Sequence, residues 1–403
     1  MNELFANFYI QRNQIIFSPI EKINGNYLLS QKLNKKVIMP NNIFDFAEFI
    51  ENTKNNLSNL HNFKININLI IDDSEIENIA HNLIKTTIYG NQIENFNNLE
   101  NDIEKIVSNK ISNHLKQNNA ILVGSKINYE YLLYKNNSQV KVYNAFPKGK
   151  KFEKLIIKTS YFYQFATFKY NDILSVFKAL PNENINCILK SQITASFLKN
   201  QNLVNFAFDV NKHFISMALV YNGVIINYQK IMVGTINLIF KIAKTLQISF
   251  KNAQNKLKYV LINFAENKFI EDENLKKIFE IVNLFVLQIQ QLAIKLINQK
   301  FLPKEKLNIL SFSGELDWMN NFLAKKTSIK ENLGFASLAN SNNLIPKNLD
   351  TNNTIIEGAM VFVNKYLSQP SNPVNTVSSY YNLKQVKKHK ISFRDLFAFK
   401  KFI

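Results

Sequence analysis

Short apolar runs and polar turns alternate along this chain, and the alternation occurs twice in similar form. From Phe5 to Val37 the apolar stretches are interrupted at Arg12-Asn13-Gln14 and at Asn24-Gly25-Asn26, which predicts three antiparallel strands. Ile43 to Leu60 carries Phe44, Phe46, Phe49, Ile50 and Leu57 at helical spacing. Ile65 to Ile71 reads as a strand, and Ser74-Glu75-Ile76 is expected to open a helix. From Ile88 to Phe165 the pattern changes. A polar helix (Asn98 to Gln117) precedes strand-like runs at Ala120 to Val123, Tyr129 to Tyr134, Val140 to Tyr143 and Lys154 to Tyr163. That block is a small α+β insertion.

The second half starts over. Tyr170 to Ala179 reads as a helix, Ile185 to Leu189 as a strand, and Ser191 to Leu198 as a short helix. Phe206 to Ile226, FAFDVNKHFISMALVYNGVII, reads as a strand, a tight turn and a second strand. Helices are expected at Thr235 to Leu246 and Phe250 to Lys258, then a strand at Val260 to Phe264. A long helix runs from Leu275 to Lys300, a strand from Asn308 to Phe312, and a last helix from about Thr354 to Leu367. Strands followed by helices, once near Phe5 and once near Phe206, suggest two related α/β halves. Beyond them, SQPSNPVNTVSSY (Ser368 to Tyr380) has the composition of a flexible linker.

Composition changes this picture little. The net charge is +19, but Arg12 and Arg394 are the arginines, and the rest of the positive charge is lysine. Lysine, asparagine and isoleucine have AT-rich codons, so coding bias accounts for a diffuse charge of this kind. Base reading relies on bidentate arginine, and the basic residues are dispersed, so no nucleic-acid partner is expected. Cys187 stands alone and the histidines are scattered, so neither a disulfide framework nor a metal site is expected. No signal peptide is read at the N-terminus, and the apolar stretch Phe279 to Ile297 is too interrupted to span a membrane.

Several segments together resemble FtsA, the actin-like bacterial cell-division family, in the same order along the chain. NENINCILKSQITASF (Asn182 to Phe197) resembles the approach to the family's second phosphate loop, and FAFDVNKHFISMALVYNGVI its strand-turn-strand. Lys230 to Lys258 resembles the segment that follows. Ile309 to Gly314 sits where the family binds adenosine, IIEGAMVF (Ile355 to Phe362) resembles its last helix, and PKGKKFEKLIIKTSY resembles a strand pair of its insertion. The resemblance implies an α/β, two-lobed actin-like fold with an FtsA-type α+β insertion and a flexible C-terminal tail. The divisions it implies are 1–87 with 166–200 for the first lobe and 88–165 for the insertion. The second lobe takes 201–230 with 302–367, the partner-binding subdomain 231–301, the linker 368–390 and the terminal helix 391–403.

The family holds ATP between its lobes on glycine-rich hairpins, because only glycine lets the backbone approach phosphate closely. Matched position by position, Asp209 persists in the second hairpin, but Asn211, Lys212 and His213 replace its glycines. Tyr9 falls at the first hairpin's aspartate and Gln11 at its glycine. Gln254 replaces the ribose-side glutamate, Gly314 remains at the adenosine site, and Gly358 marks the last helix. Asp209 reads either as a metal-side carboxylate or, preferably, as a solvated strand end, and Lys212 could place a positive charge near a phosphate. The expectation is weak or absent binding of ATP and Mg²⁺, with no catalytic residue; a functioning ATPase with a remodelled site is the alternative.

The tail supplies a different chemistry. In ISFRDLFAFKKFI, at about 100° per residue, Ile391, Phe393, Leu396, Phe399, Phe402 and Ile403 spread over a broad apolar face. Arg394 and Lys401 lie opposite, Phe397 falls off the stripe, and Asp395 and Lys400 intrude on it. With the upstream cluster Lys384, Lys387, Lys388 and Lys390, the segment carries the two signals of an interfacial anchor. The resemblance then implies a cytoplasmic scaffold, peripheral on the inner face of the cell membrane. Its implied partners are anionic lipid, the C-terminal tail of the tubulin-like protein FtsZ docked on 231–301, and further copies of itself in filaments.

Overall fold

The computed structural model describes residues 2–11, 14–23, 26–30, 33–39, 43–58, 63–76, 78–92, 99–136, 138–165, 184–197, 204–265, 272–298, 307–312, 335–337 and 351–367. The chain divides into two compact units, Met1–Ser196 with Pro346–Ser378, and Phe197–Ile345 with Ser379–Ile403.

The first unit is built on β1 (Asn2–Gln11), β2 (Gln14–Ile23), β3 (Asn26–Leu29), β4 (Lys36–Ile38), β5 (Phe63–Ile71) and β10 (Asn184–Leu189), with helix α1 (Ile43–Ser58) between β4 and β5. The sheet order is β3-β2-β1-β5-β10, and β4 also pairs with β2. β2 is antiparallel to β1, whereas β5 and β10 run parallel to it. Leu4 through Ile10 are all buried, which is why this strand reads as a continuous apolar run rather than an alternating one. The exception, Asn7, lies in register with Asn68 and Asn186. Asn186 Nδ2 donates to Asn68 Oδ1 (3.0 Å), Asn68 Nδ2 donates to Asn7 Oδ1 (2.8 Å), and Asn7 Nδ2 donates to the Ser18 carbonyl (3.0 Å). This polar rung crosses three parallel strands, and a one-residue slip would break every bond in it.

The segment expected to open a helix at Ser74 makes a single 3₁₀ turn, Asp73–Glu75, before β6 (Ala80–Tyr89) begins. Asp72 caps that turn by accepting from the Ser74 N–H (2.9 Å). β6, β7 (Ala120–Lys135), β8 (Ser138–Tyr143) and β9 (Lys154–Phe165) form an antiparallel sheet of order β6-β9-β7-β8. Helix α2 (Leu99–Gln117) packs on it through Leu99, Ile103, Val107 and Ile111, and the strands contribute Leu133, Leu155, Ile157 and Tyr161 to the same core. The two runs expected at Ala120 and Tyr129 are one strand, interrupted by a bulge where the register to β9 shifts between Val123 and Ile127. The sheet thus lies in sequence between β5 and β10.

Helix α3 (Lys190–Phe197) follows β10 directly. The second unit repeats the first sheet's plan with β11 (Val204–Val210), β12 (Ile215–Tyr221), β13 (Val224–Ile231), β14 (Leu307–Phe312) and β15 (Phe335–Ser337), ordered β13-β12-β11-β14-β15. Phe206 to Ile226 holds two turns, not one. The second is Asn222-Gly223, with φ of 52° and 77°, the left-handed pair that a two-residue hairpin needs. Helices α4 (Thr235–Leu246), α5 (Phe250–Ala265) and α6 (Glu273–Asn298) pack on one another. The strand expected at Val260 to Phe264 is the continuation of α5. Ala253, Leu257, Val260 and Leu261 are buried while Tyr259 and Ile262 are exposed, which is a helical stripe and not an alternation. The last helix, α7 (Thr351–Phe362), packs against β1 and β5 of the first unit. The helix expected at Tyr170 to Ala179 lies outside the described residues.

Candidate functional site: the carboxyl ends of the parallel strands

In open α/β sheets, chemistry gathers beyond the carboxyl ends of parallel strands. In the first unit those ends carry Tyr9 and Gln11 on β1, Asp72 and Asp73 after β5, and Lys190, Ser191 and Gln192 after β10. They meet in a buried network. The Tyr9 hydroxyl donates to Asp72 Oδ2 (3.0 Å), and the Lys190 ammonium lies 3.2 Å from the same oxygen. Asp73 accepts from the Ser191 N–H (3.0 Å) and hydroxyl (2.9 Å). Tyr9 is 2% exposed and Asp73 1%. Burial alone would raise the Asp72 carboxyl; the Lys190 charge and the donors of Ser74 outweigh it and hold the group below its ordinary value. Burial, with the Asp72 charge added, pushes the Tyr9 phenol up, against the opposing pull of Lys190. An internal ammonium therefore occupies the position beside the carboxylate, and a phenol covers it.

In the second unit β11 ends at Asp209 and Val210. The turn that follows closes with the Asn211 N–H donating to the Phe214 carbonyl (2.9 Å). Asp209 is buried, opposite Ser216 of β12. Phe214 is buried beneath the Lys230 ammonium, 4.4 Å from its ring centre. Lys212 is exposed and His213 half-buried. The turn carbonyls point at the N-terminus of α4. Thr235 N–H donates to Asn211 O (3.1 Å) and Ile236 N–H to Lys212 O (2.9 Å), while Asn237 N–H donates to Gly234 O (3.1 Å). These are the donors that a helix N-terminus would otherwise offer to an anion. Gly234 permits the approach, since a Cβ there would lie 2.4 Å from Lys212 O and 2.5 Å from Asn211 O. The residues present do not fit a nucleotide phosphate at this helix end. That helix end is occupied by the main-chain carbonyls of Asn211 and Lys212.

Of the sequence-derived site residues, Asp209 lies at the end of β11 and Lys212 in the turn that follows it. Gln254 is exposed on α5, and Gly358 is buried in α7 of the other unit. Gly314 and all the tail residues from Ile391 to Ile403 lie outside the described residues. Sequence reasoning passed over Asp72, Asp73, Lys190, Ser191, Gln192 and Gly234. The available signal was positional: Asp72-Asp73 and Lys190-Ser191-Gln192 each follow an apolar strand run immediately. Among the described residues there is no group of three or more metal-ligating side chains, and no helix is long and apolar enough to cross a membrane.

Two sheets of order 3-2-1-4-5, each with its second strand antiparallel to the rest, define an actin-like α/β protein. No family model matches the chain, and no curated protein matches it in sequence. Solved structures similar to it include the PilM–PilN type IV pilus biogenesis complex, at 10% identity over 90% of this chain and 98% of that one, with a TM-score of 0.48. Another is MreB5 of Spiroplasma citri bound to AMPPNP, at 9% identity over 89% and 96%, with a TM-score of 0.42. The ethanolamine utilization protein EutJ of Carboxydothermus hydrogenoformans is similar at 8% identity over 82% and 84%, with a TM-score of 0.36.

Proposed function

We propose that this chain is a non-hydrolysing actin-like scaffold that tethers FtsZ-like filaments to the cytoplasmic membrane at the division site. The observation that carries the non-hydrolysing part is the occupied N-terminus of α4, whose Thr235 and Ile236 N–H groups are bonded to the carbonyls of Asn211 and Lys212. The Lys190–Asp72–Tyr9 network supports it from the first unit, because the carboxylate there already has an internal cation.

The tethering part rests on the resemblance and on surface chemistry. Tyr259 and Ile262 on α5, and Leu284 and Leu287 on α6, are exposed. Lys251 and Lys258 are exposed on α5, and Lys276 and Lys277 on α6, alongside the exposed acids Glu273 and Glu280. An acidic, apolar filament tail suits such a surface in charge and in hydrophobicity. On this reading the terminal segment Ile391 to Ile403 supplies the membrane contact, and the four-stranded sheet with α2 serves for self-association.

Titration with a labelled ATP analogue and Mg²⁺ tests the central claim. No saturable binding is expected up to millimolar ligand. Micromolar, Mg²⁺-dependent binding would overturn it and favour the working-ATPase reading.

A further inference from the structure

The first turn of α3 makes three separate attachments with three consecutive side chains. Lys190 reaches Asp72 Oδ2 (3.2 Å), which also holds the Tyr9 hydroxyl at the end of β1. Ser191 binds Asp73 through both its N–H and its hydroxyl. Gln192, 2% exposed, turns the other way and clasps the β7 bulge. Its Oε1 accepts from the Ser125 N–H (3.2 Å) and the Leu189 N–H (3.1 Å), and its Nε2 donates to the Ser125 carbonyl (2.7 Å). The bulge is shaped for this. Gly124 sits at φ 70°, and a Cβ there would lie 2.5 Å from Gln192 Oε1 and 2.9 Å from Leu189 Cγ. The Ser125 hydroxyl then donates to the Cys187 carbonyl on the edge strand β10 (2.6 Å).

We propose that this turn couples the placement of the insertion to the β1 end of the first sheet, so that releasing either contact loosens the other. The physical basis is rigidity. The three residues belong to one helical turn: Lys190 and Ser191 are tied to the turn after β5, and Gln192 to the β7 bulge. A shift of the β7 bulge that draws Gln192 with it moves Lys190 away from Asp72. That leaves a buried carboxylate without its cation, which is costly. Conversely, a ligand or mutation that removes the Lys190–Asp72 pair frees the turn, and with it the clasp on Ser125. A partner that moves the insertion is therefore sensed at Tyr9, on the strand that leads into the first hairpin. This coupling stands apart from the filament-tethering reading and survives its failure.

Coupling between two sites is reciprocal, and that gives the test. Amide hydrogen exchange is measured on the full chain and on two shape-keeping variants, Lys190→Met and Gln192→Met. Lys190→Met should speed exchange of the Ser125 amide, and Gln192→Met that of the Ser74 amide bonded to Asp72. Each should do so by a matching factor of about 5- to 150-fold. Those factors are read over and above any speeding of the Ile157 amide in β9 and the Leu219 amide in β12, which report the general loss of stability. The proposal is overturned if each variant alters only its own neighbours, or if all four amides speed up by the same factor, as in global loosening. Should Lys190→Met not fold, Asp72→Asn keeps the shape and removes the charge pair; an unchanged Ser125 amide in that variant equally overturns it.

Discussion

At the residue scale, the least replaceable groups are those whose contacts at the strand ends are buried or leave no room for another atom. Asp72 and Lys190 form a buried pair, and removing one partner strands the other. Lys190→Met is expected to cost about 3–5 kcal/mol, read as a lower urea midpoint. The pH dependence has a definite sign. Asp72 is held below its unfolded value of 3.8, so its contribution is present above that value and lost as pH falls through the folded pKa. Asp72→Asn should flatten the acid limb of a stability–pH curve below about pH 4; an unchanged limb would count against the pair. Gly234 is a second such residue. Gly234→Ala forces a methyl onto two carbonyl oxygens, and about 1–3 kcal/mol of destabilisation is expected in thermal melts. Neither residue stands out in the sequence. A lysine after a strand and a glycine before a helix are common, and only the contacts give them weight.

At the element scale, sheet register has an identifiable cause. The Asn7–Asn68–Asn186 rung spans three strands that are far apart in sequence. Asn68→Ala leaves Asn7 Oδ1 and Asn186 Nδ2 without the partner they have here. A loss of about 1–3 kcal/mol should follow by denaturant titration, whereas a surface asparagine changed in the same way should cost little. Elements were legible where their period was clear. β1, β2, β5, β10, β11 and β14, with α1, α2, α4 and α6, lie close to their sequence-derived spans, whereas β12 and β13 share a single apolar run and β15 has no counterpart in the sequence reading. Val260 to Phe264 misled because a short apolar run with β-branched residues has no period of its own, and the stripe from Ala253 decides it. The Asn222-Gly223 turn, by contrast, was present as a strong hairpin signal inside a run read as one strand.

At the scale of the whole molecule, the two sheets share one strand order although their sequences differ, and each places its polar residues beyond the parallel strand ends. In both units those ends are closed by the chain's own groups, an ammonium in one and main-chain carbonyls in the other. The proposed tethering function places the working parts at surfaces and in the terminal segment. Deleting Lys390 to Ile403 should release the protein from vesicles containing anionic lipid, as seen by co-sedimentation. Four phenylalanines at about 1.5–3 kcal/mol each when fully buried set the scale of that loss. Unchanged sedimentation would refute the anchor.

What the sequence determined by itself was periodicity: where most of the strands and helices run, and that two α/β halves flank a block of different composition. These are local properties, carried by spacing along the chain. Tertiary structure alone decided which residues close the strand ends. Tyr9, Asp72 and Lys190 are separated by long stretches of sequence and meet only because β1, β5 and β10 run parallel in one sheet. That Asn211 to His213 contain no glycine is visible in the sequence, but the carbonyls that take the donors of α4 are main-chain atoms, whose direction no side-chain pattern records.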